Sequence, residues 1–321
     1  MLSVSIGKLK LKNPVMVASG TFGYAEEFAG FMDLKQLGAI VTKTITLNPR
    51  VGNPMPRTCE TPAGMLNSIG LENPGVEGFI KNKLPYLKKI GVPIIVSIAS
   101  EKDPEEFIIL ARKLNKIKEI AAIELNISCP NIRVQSSEFG VRRKKLPTPN
   151  SRLLTHLISQ DPRATYDLVK SVRKVTGKTL ITKLSPNITD ITEIALAAEK
   201  AGSDALSLIN TLSGMAIDVE TKRPRIAAIT GGLSGPAIRP VAIRMVWQVY
   251  RKIAIPLIGM GGIIDTASAL EFILAGSTAV SVGTANFIKP KVTVEIIRGL
   301  AQYLAKNKIS AIQDIIGALE I

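Results

Sequence analysis

Cys129 stands between two amides in Asn126-Ile127-Ser128-Cys129-Pro130-Asn131, directly after the run from Ala121 to Leu125. Structural cysteines are usually inert apolar residues inside an element, whereas this one closes a strand beside polar groups that can orient a small substrate. A free thiol has a pKa of about 8.5. Cationic or amide donors nearby raise its thiolate fraction at neutral pH, which suits it to proton abstraction. The same Ser-Cys-Pro-Asn tetrapeptide also suits an ordinary turn, so the surrounding chain has to decide. Lys43 in Thr42-Lys43-Thr44 and Lys183 in Lys183-Leu184-Ser185-Pro186 each interrupt an apolar run. A buried ammonium is costly without an electron-rich partner, so both point to an anionic ligand; the alternative is a structural ion pair.

Those residues need elements to carry them. Apolar runs at 15–19, 39–44, 93–99, 122–128, 180–184, 205–211, 256–261 and 279–283 predict eight short buried strands. Amphipathic stretches at 104–117, 162–175, 191–201, 236–253 and 266–275 alternate with them, several opening on Asp or Pro. Eight strand–helix repeats predict one (β/α)8 TIM barrel spanning residues 1–321 with extended loops at its C-terminal face. Three stretches, 45–75, 129–161 and 212–235, are too long for a simple repeat, and all follow strand C-termini, where barrel active sites are built. Gly259-Met260-Gly261-Gly262 and Gly283-Thr284 end the last two strands, with Gly231-Gly232-Leu233-Ser234-Gly235 before them. Their N–H groups can cradle a phosphate at the usual barrel position. No Gly-x-Gly-x-x-Gly joins a strand to a helix, so a directly bound nicotinamide dinucleotide is unsupported.

Composition excludes other classes. Forty-one Lys and Arg against 26 Asp and Glu give a formal charge of +15, yet the basic residues are scattered and aromatics make up only 4%. Nucleic-acid binding is therefore weakly supported, and a solvated lysine-rich surface accounts for most of the excess. Arg142-Arg143-Lys144-Lys145 is the densest local cluster. Two cysteines, Cys59 and Cys129, are too few for a disulfide framework and predict a reducing, cytoplasmic setting. The single His156 lies away from any ligand cluster, so no metal site is expected. The first twelve residues lack the apolar stretch of a signal peptide, and no run reaches the length of a membrane span.

The chain from about 13 to 285 resembles the dihydroorotate dehydrogenases, and among them the catalytic subunits of class 1B. The resemblance rests on Asn13-Pro14, Ala18-Ser19-Gly20, Lys43-Thr44, the stretch 64–71 (Gly-Met-Leu-Asn-Ser-Ile-Gly-Leu), 126–131, 183–186, Ile209-Asn210-Thr211-Leu212, 231–236 and 259–262. It implies Cys129 as catalytic base. It implies FMN contacts from Ser19, Gly20, Lys43, Thr44, Asn126, Lys183, Ile209, Gly235, Gly261, Gly262, Gly283 and Thr284. Around the pyrimidine it implies Lys43, Asn67, Ser68, Ile69, Gly70, Leu71, Asn126, Asn131, Asn210 and Thr211. Class 1B is suggested by Asn210-Thr211-Leu212 and the following 214–218; class 2 enzymes carry serine at the base position.

The implied reaction oxidises dihydroorotate to orotate, with Cys129 taking the C5 proton while the C6 hydride goes to flavin N5. Asparagines at 67, 126, 131 and 210 match the alternating donors and acceptors of a pyrimidine and its carboxylate. Lys43 and Lys183 favour the negative charge that develops on reduced flavin. The resemblance also implies an iron–sulfur flavoprotein partner carrying FAD and a 2Fe-2S cluster, NAD as final acceptor, and a homodimer core within a heterotetramer. Two features depart from the family. Ser97 stands where asparagine is common, and residues 142–159 read as an insertion in the cysteine loop, suited to a cover over the substrate or to a tolerated surface excursion.

Overall fold

The computed structural model describes residues 2–128, 133–134 and 156–320. Cys129, Asn131 and residues 142–155 of the expected insertion lie outside the described residues. Eight parallel strands close into a barrel in chain order: β1 (Val15–Val17), β2 (Ala39–Val41), β3 (Ile94–Ile98), β4 (Ile120–Asn126), β5 (Thr179–Lys183), β6 (Ala205–Leu208), β7 (Leu257–Gly259) and β8 (Ala279–Val282). The strands are buried almost throughout because barrel side chains fill the inside and helices cover the outside. The expected barrel is therefore present, with each strand overlapping its expected run.

The covering helices are α1 (Leu84–Ile90), α2 (Glu105–Asn115), α3 (Pro162–Arg173), α4 (Ile191–Lys200), α5 (Arg239–Tyr250), α6 (Thr266–Leu274) and α7 (Val292–Lys306). Asp161, Asp190 and Asp265 cap α3, α4 and α6 by accepting backbone N–H bonds in the first turn. A carboxylate there satisfies donors that have no intrahelical partner, which is why these helices start sharply. None of the helices among the described residues is long and apolar enough to cross a membrane.

Two of the three long stretches are not independent loops. Segments Thr58–Thr61 and Gly64–Asn67 from the first, and Leu212–Met215 and Thr230–Ser234 from the third, pair as one antiparallel sheet. Leu212–Met215 and Thr230–Ser234 lead away from and back to β6 and α5, so the sheet roofs the C-terminal mouth. Close backbone approach holds the roof together. A Cβ on Gly64 would stand 2.0 Å from the Ser234 carbonyl, and one on Gly232 would stand 2.1 Å from Thr211 Oγ1. The last four residues of the expected insertion belong to the fold. His156–Leu157 pairs with Arg133–Val134, and Ile158 and Ser159 are buried. The excursion therefore ends before 156, because the chain must re-enter the core to start α3.

Candidate active site

At the barrel mouth the inward residues of β1, β2 and β4 continue past their strands and meet. Thr44 Oγ1 lies 3.0 Å from Ser19 Oγ and 2.9 Å from Ser97 Oγ, and it accepts from Asn126 Nδ2 at 3.3 Å. Asn126 Oδ1 in turn accepts from Asn210 Nδ2 at 3.1 Å, and Asn210 Oδ1 accepts from the Thr211 N–H at 2.8 Å. One hydroxyl therefore anchors a chain of amides that crosses the mouth from β1 to β6. Ser97, which departs from the family pattern, is a buried member of this network. Its hydroxyl replaces an amide's reach with a bond to Thr44.

The two lysines project into the same space. Lys183 is 5% exposed, and among the described residues neither its ammonium nor that of Lys43 has an ion-paired carboxylate. The structural ion pair that sequence left open is absent among the described residues. Burial holds the Lys43 pKa below its ordinary value, with Glu72 opposing the shift and Arg57 adding to it. An ammonium in that state gains from an anionic partner.

The glycine turns converge at the other side of the mouth. A Cβ on Gly262 would lie 2.8 Å from the Gly235 carbonyl, and one on Gly283 would lie 3.7 Å from the Ala18 Cβ. Thr284 Oγ1 donates to Ser234 Oγ at 2.8 Å, which ties β8 to the roof. Among the described residues the backbone N–H groups of Gly261, Gly262, Gly283 and Thr284 meet no acceptor. Half-buried donors without partners fit a phosphate, and two unpaired ammoniums fit an anion-stabilising ring, so these residues suit FMN. Gly20 lies just beyond β1, where an added Cβ would meet nothing within 4 Å, and the Ile209 N–H is bonded to Met260 O.

The roof carries the remaining expected residues. Asn67 Nδ2 donates to Gly232 O at 3.3 Å, and Ser68 Oγ accepts from Asn53 Nδ2 at 2.8 Å. Ile69 O accepts from the Asn53 N–H at 3.0 Å, Gly70 O from Arg50 Nε at 3.2 Å, and Leu71 O from Asn73 Nδ2 at 2.6 Å. Leu71 adopts φ 57°, a left-handed conformation that a leucine holds only when its surroundings impose it.

Sequence reasoning missed the residues that impose it. Asn73 is 6% exposed; Oδ1 accepts from Thr46 N and Gly75 N, while Nδ2 also reaches Thr46 Oγ1. Asn187 does the same work after β5: Nδ2 donates to Ser185 Oγ and Thr211 O, and Oδ1 accepts from Ser213 N at 2.8 Å. Nothing in a lone loop asparagine announces such a role. Only the paired segments, 24 to 27 residues apart, reveal it.

Comparison with known proteins follows the same lines. A family model described as dihydroorotate dehydrogenase matches residues 1–304. A protein of Trichlorobacter lovleyi named dihydroorotate dehydrogenase B (NAD(+)), catalytic subunit, is 53% identical over 319 residues, covering 99% of this chain and 98% of the relative. Proteins of the same name from Geotalea daltonii and Geobacter sulfurreducens are 52% and 50% identical over 320 residues, each covering 100% of this chain and 98% of the relative.

Proposed function

This chain belongs to the dihydroorotate dehydrogenase family, and we propose that it oxidises dihydroorotate to orotate in pyrimidine biosynthesis as the class 1B catalytic subunit. The observation that carries this reading is the meeting of Lys43, Thr44, Asn126, Lys183 and Asn210 at one mouth, beside N–H groups that lack acceptors. FMN bound there supplies the two-electron acceptor for the C6 hydride. Gly235, Gly261, Gly262, Gly283 and Thr284 hold its phosphate through backbone donors. Lys43 and Lys183 stabilise negative charge at the ring, and Ser19, Thr44 and Asn126 fix its edge by hydrogen bonds.

Asn67, Asn126, Asn131 and Asn210 orient the pyrimidine, with the stretch from Ser68 to Leu71 closing over it from the roof. Cys129 removes the C5 proton as general base. Its position in the loop after β4, which already delivers Asn126 to the mouth, supports that role. A base on one side and a hydride acceptor on the other let both hydrogens leave without a free carbanion.

The relatives are catalytic subunits by name, with NAD(+) in that name. We take this chain to pass its electrons to a partner flavoprotein with FAD and a 2Fe-2S cluster, within a heterotetramer built on a homodimer. The decisive experiment denatures the purified protein to identify the released flavin, then mixes the native protein with dihydroorotate anaerobically. FMN and rapid bleaching are expected, with NAD reduced only after the partner is added. Release of FAD, or bleaching by dihydrouracil but not dihydroorotate, would overturn the reading.

A further inference from the structure

Among the described residues two charged side chains are more than nine-tenths buried: Lys183 at 5% exposure and Glu124 at 2%. One is an acid, the other a base, and neither has an ion-paired partner within 4 Å among the described residues. Strand register gives their relation. Glu124 of β4 lies beside Ile181 of β5, and Lys183 is the next inward residue of β5 toward the mouth, level with Ser207 of β6. Ser207 Oγ donates to Glu124 Oε2 at 2.9 Å across β5. That bond puts Glu124 and Ser207, from alternate strands, in one layer of the barrel interior. Following the register through Ile258 and Ala279 brings Ser281 of β8 into the same layer. Lys183 belongs to the layer above, which floors the mouth.

The state of the carboxyl follows from its partners. Glu124 Oε1 is fully enclosed and has no hydrogen-bond partner. A protonated acid would place an O–H there with no acceptor, a full desolvation cost. An ionised one needs a positive potential, and the ammonium in the next layer is the buried source of it. Lys183 needs the reverse.

We propose that Glu124 is an ionised positioning residue, held by Ser207, which fixes the Lys183 ammonium beneath the flavin and offsets part of its charge. It thereby lowers the tendency of the flavin to accept electrons. The inference rests on the FMN reading above. A unit charge about 10 Å away at an effective dielectric of about 20 changes an equilibrium by roughly tenfold.

Glu124→Gln keeps the size and the Ser207 bond while removing the charge. The reduction equilibrium of bound flavin, read against reference dyes, is expected to shift about tenfold toward the reduced form, about 30 mV for a two-electron couple. Both proteins must first show a bound-flavin spectrum. A wild type that takes up no flavin sinks the FMN reading alone, whereas two flavin-bound proteins with equal potentials overturn the role of Glu124. The pair is also read without flavin, by a thermal-unfolding cycle of E124Q, Lys183→Met and the double variant. Each single change leaves an uncompensated charge, so the double variant is expected to be more stable than E124Q; equal or lower stability overturns the pairing. That comparison holds even where E124Q alone fails to fold.

Discussion

The floor and the roof of the mouth are built by opposite means. Floor residues Thr44, Ser97, Asn126 and Lys183 lie at the ends of adjacent barrel strands, and three of them are hydrogen-bonded side chain to side chain. Each sits where an apolar run ends, so backbone pairing alone brings them together. Roof residues come from segments some 165 positions apart, joined by backbone contact, as in the bond from Asn67 to Gly232. The floor is held by hydroxyl and amide partners, the roof by glycines that let backbones touch. Damage to the floor should therefore register at the flavin, and damage to the roof at the substrate.

The largest effect tests whether the proposed base works apart from both. Cys129→Ala should retain FMN and bind orotate, while reduction of the flavin by dihydroorotate slows by at least about two orders of magnitude, the usual scale for losing a general base. Rapid-mixing absorbance reads it. A near-normal rate would transfer the role to another group in the loop.

Next comes the roof. In Gly64→Ala the new methyl would meet the Ser234 carbonyl at 2.0 Å, so one strand must move. Overpacking of this kind costs about 1–3 kcal/mol. Since Asn67 follows on the same strand, the KM for dihydroorotate should rise roughly tenfold, one 1.4 kcal/mol step, with flavin content preserved. Flavin lost in proportion to activity would erase the division between roof and floor.

The same contrast explains what the sequence disclosed. Each β-strand was legible because eight apolar runs recur with strand length, and Lys43 and Lys183 were legible because a charge in such a run needs a reason. The roof sheet was not. Thr58–Thr61 and Gly64–Asn67 carry no continuous apolar face, and their pairing with Thr230–Ser234 depends on contacts that periodicity does not encode. Asn67 and the stretch from Ser68 to Leu71 entered only through family resemblance. Asn73 and Asn187, which hold that loop and the one after β5, carried no signal from either source. Glu124 was passed over inside its run because a single acid in a strand reads as noise until register sets it below Lys183.

A smaller effect probes the floor network. Thr44→Val keeps the shape but removes the hydroxyl shared by Ser19, Ser97 and Asn126. Leaving buried polar partners unsatisfied costs about 1–3 kcal/mol. The flavin-free protein should lose stability by that amount and FMN should bind more weakly, while the KM for dihydroorotate of the reloaded enzyme stays within about twofold, less than the 1.4 kcal/mol of a tenfold change. A raised KM with normal flavin affinity would mean that Thr44 serves the roof.

The smallest effect separates the cost of a floor residue from its use. Burial holds the Lys43 pKa below 10.5 in the folded, flavin-free protein. Between the folded and unfolded values the unfolded chain binds more protons, so this group makes stability rise with pH across that window. Below the folded pKa the penalty of burying the charge is fully present; above 10.5 it has gone. Lys43→Met should therefore stabilise the flavin-free protein at neutral pH by about 1 kcal/mol, in the range of typical stabilising changes, with the advantage over wild type shrinking as pH climbs toward 10.5. FMN should reverse the order, because the wild-type ammonium then gains its anionic partner and the methionine does not. Melting curves of both proteins at several pH values, with and without FMN, read all of this. A variant less stable than wild type at neutral pH without flavin would mean that Lys43 is held by structure rather than kept for its ligand.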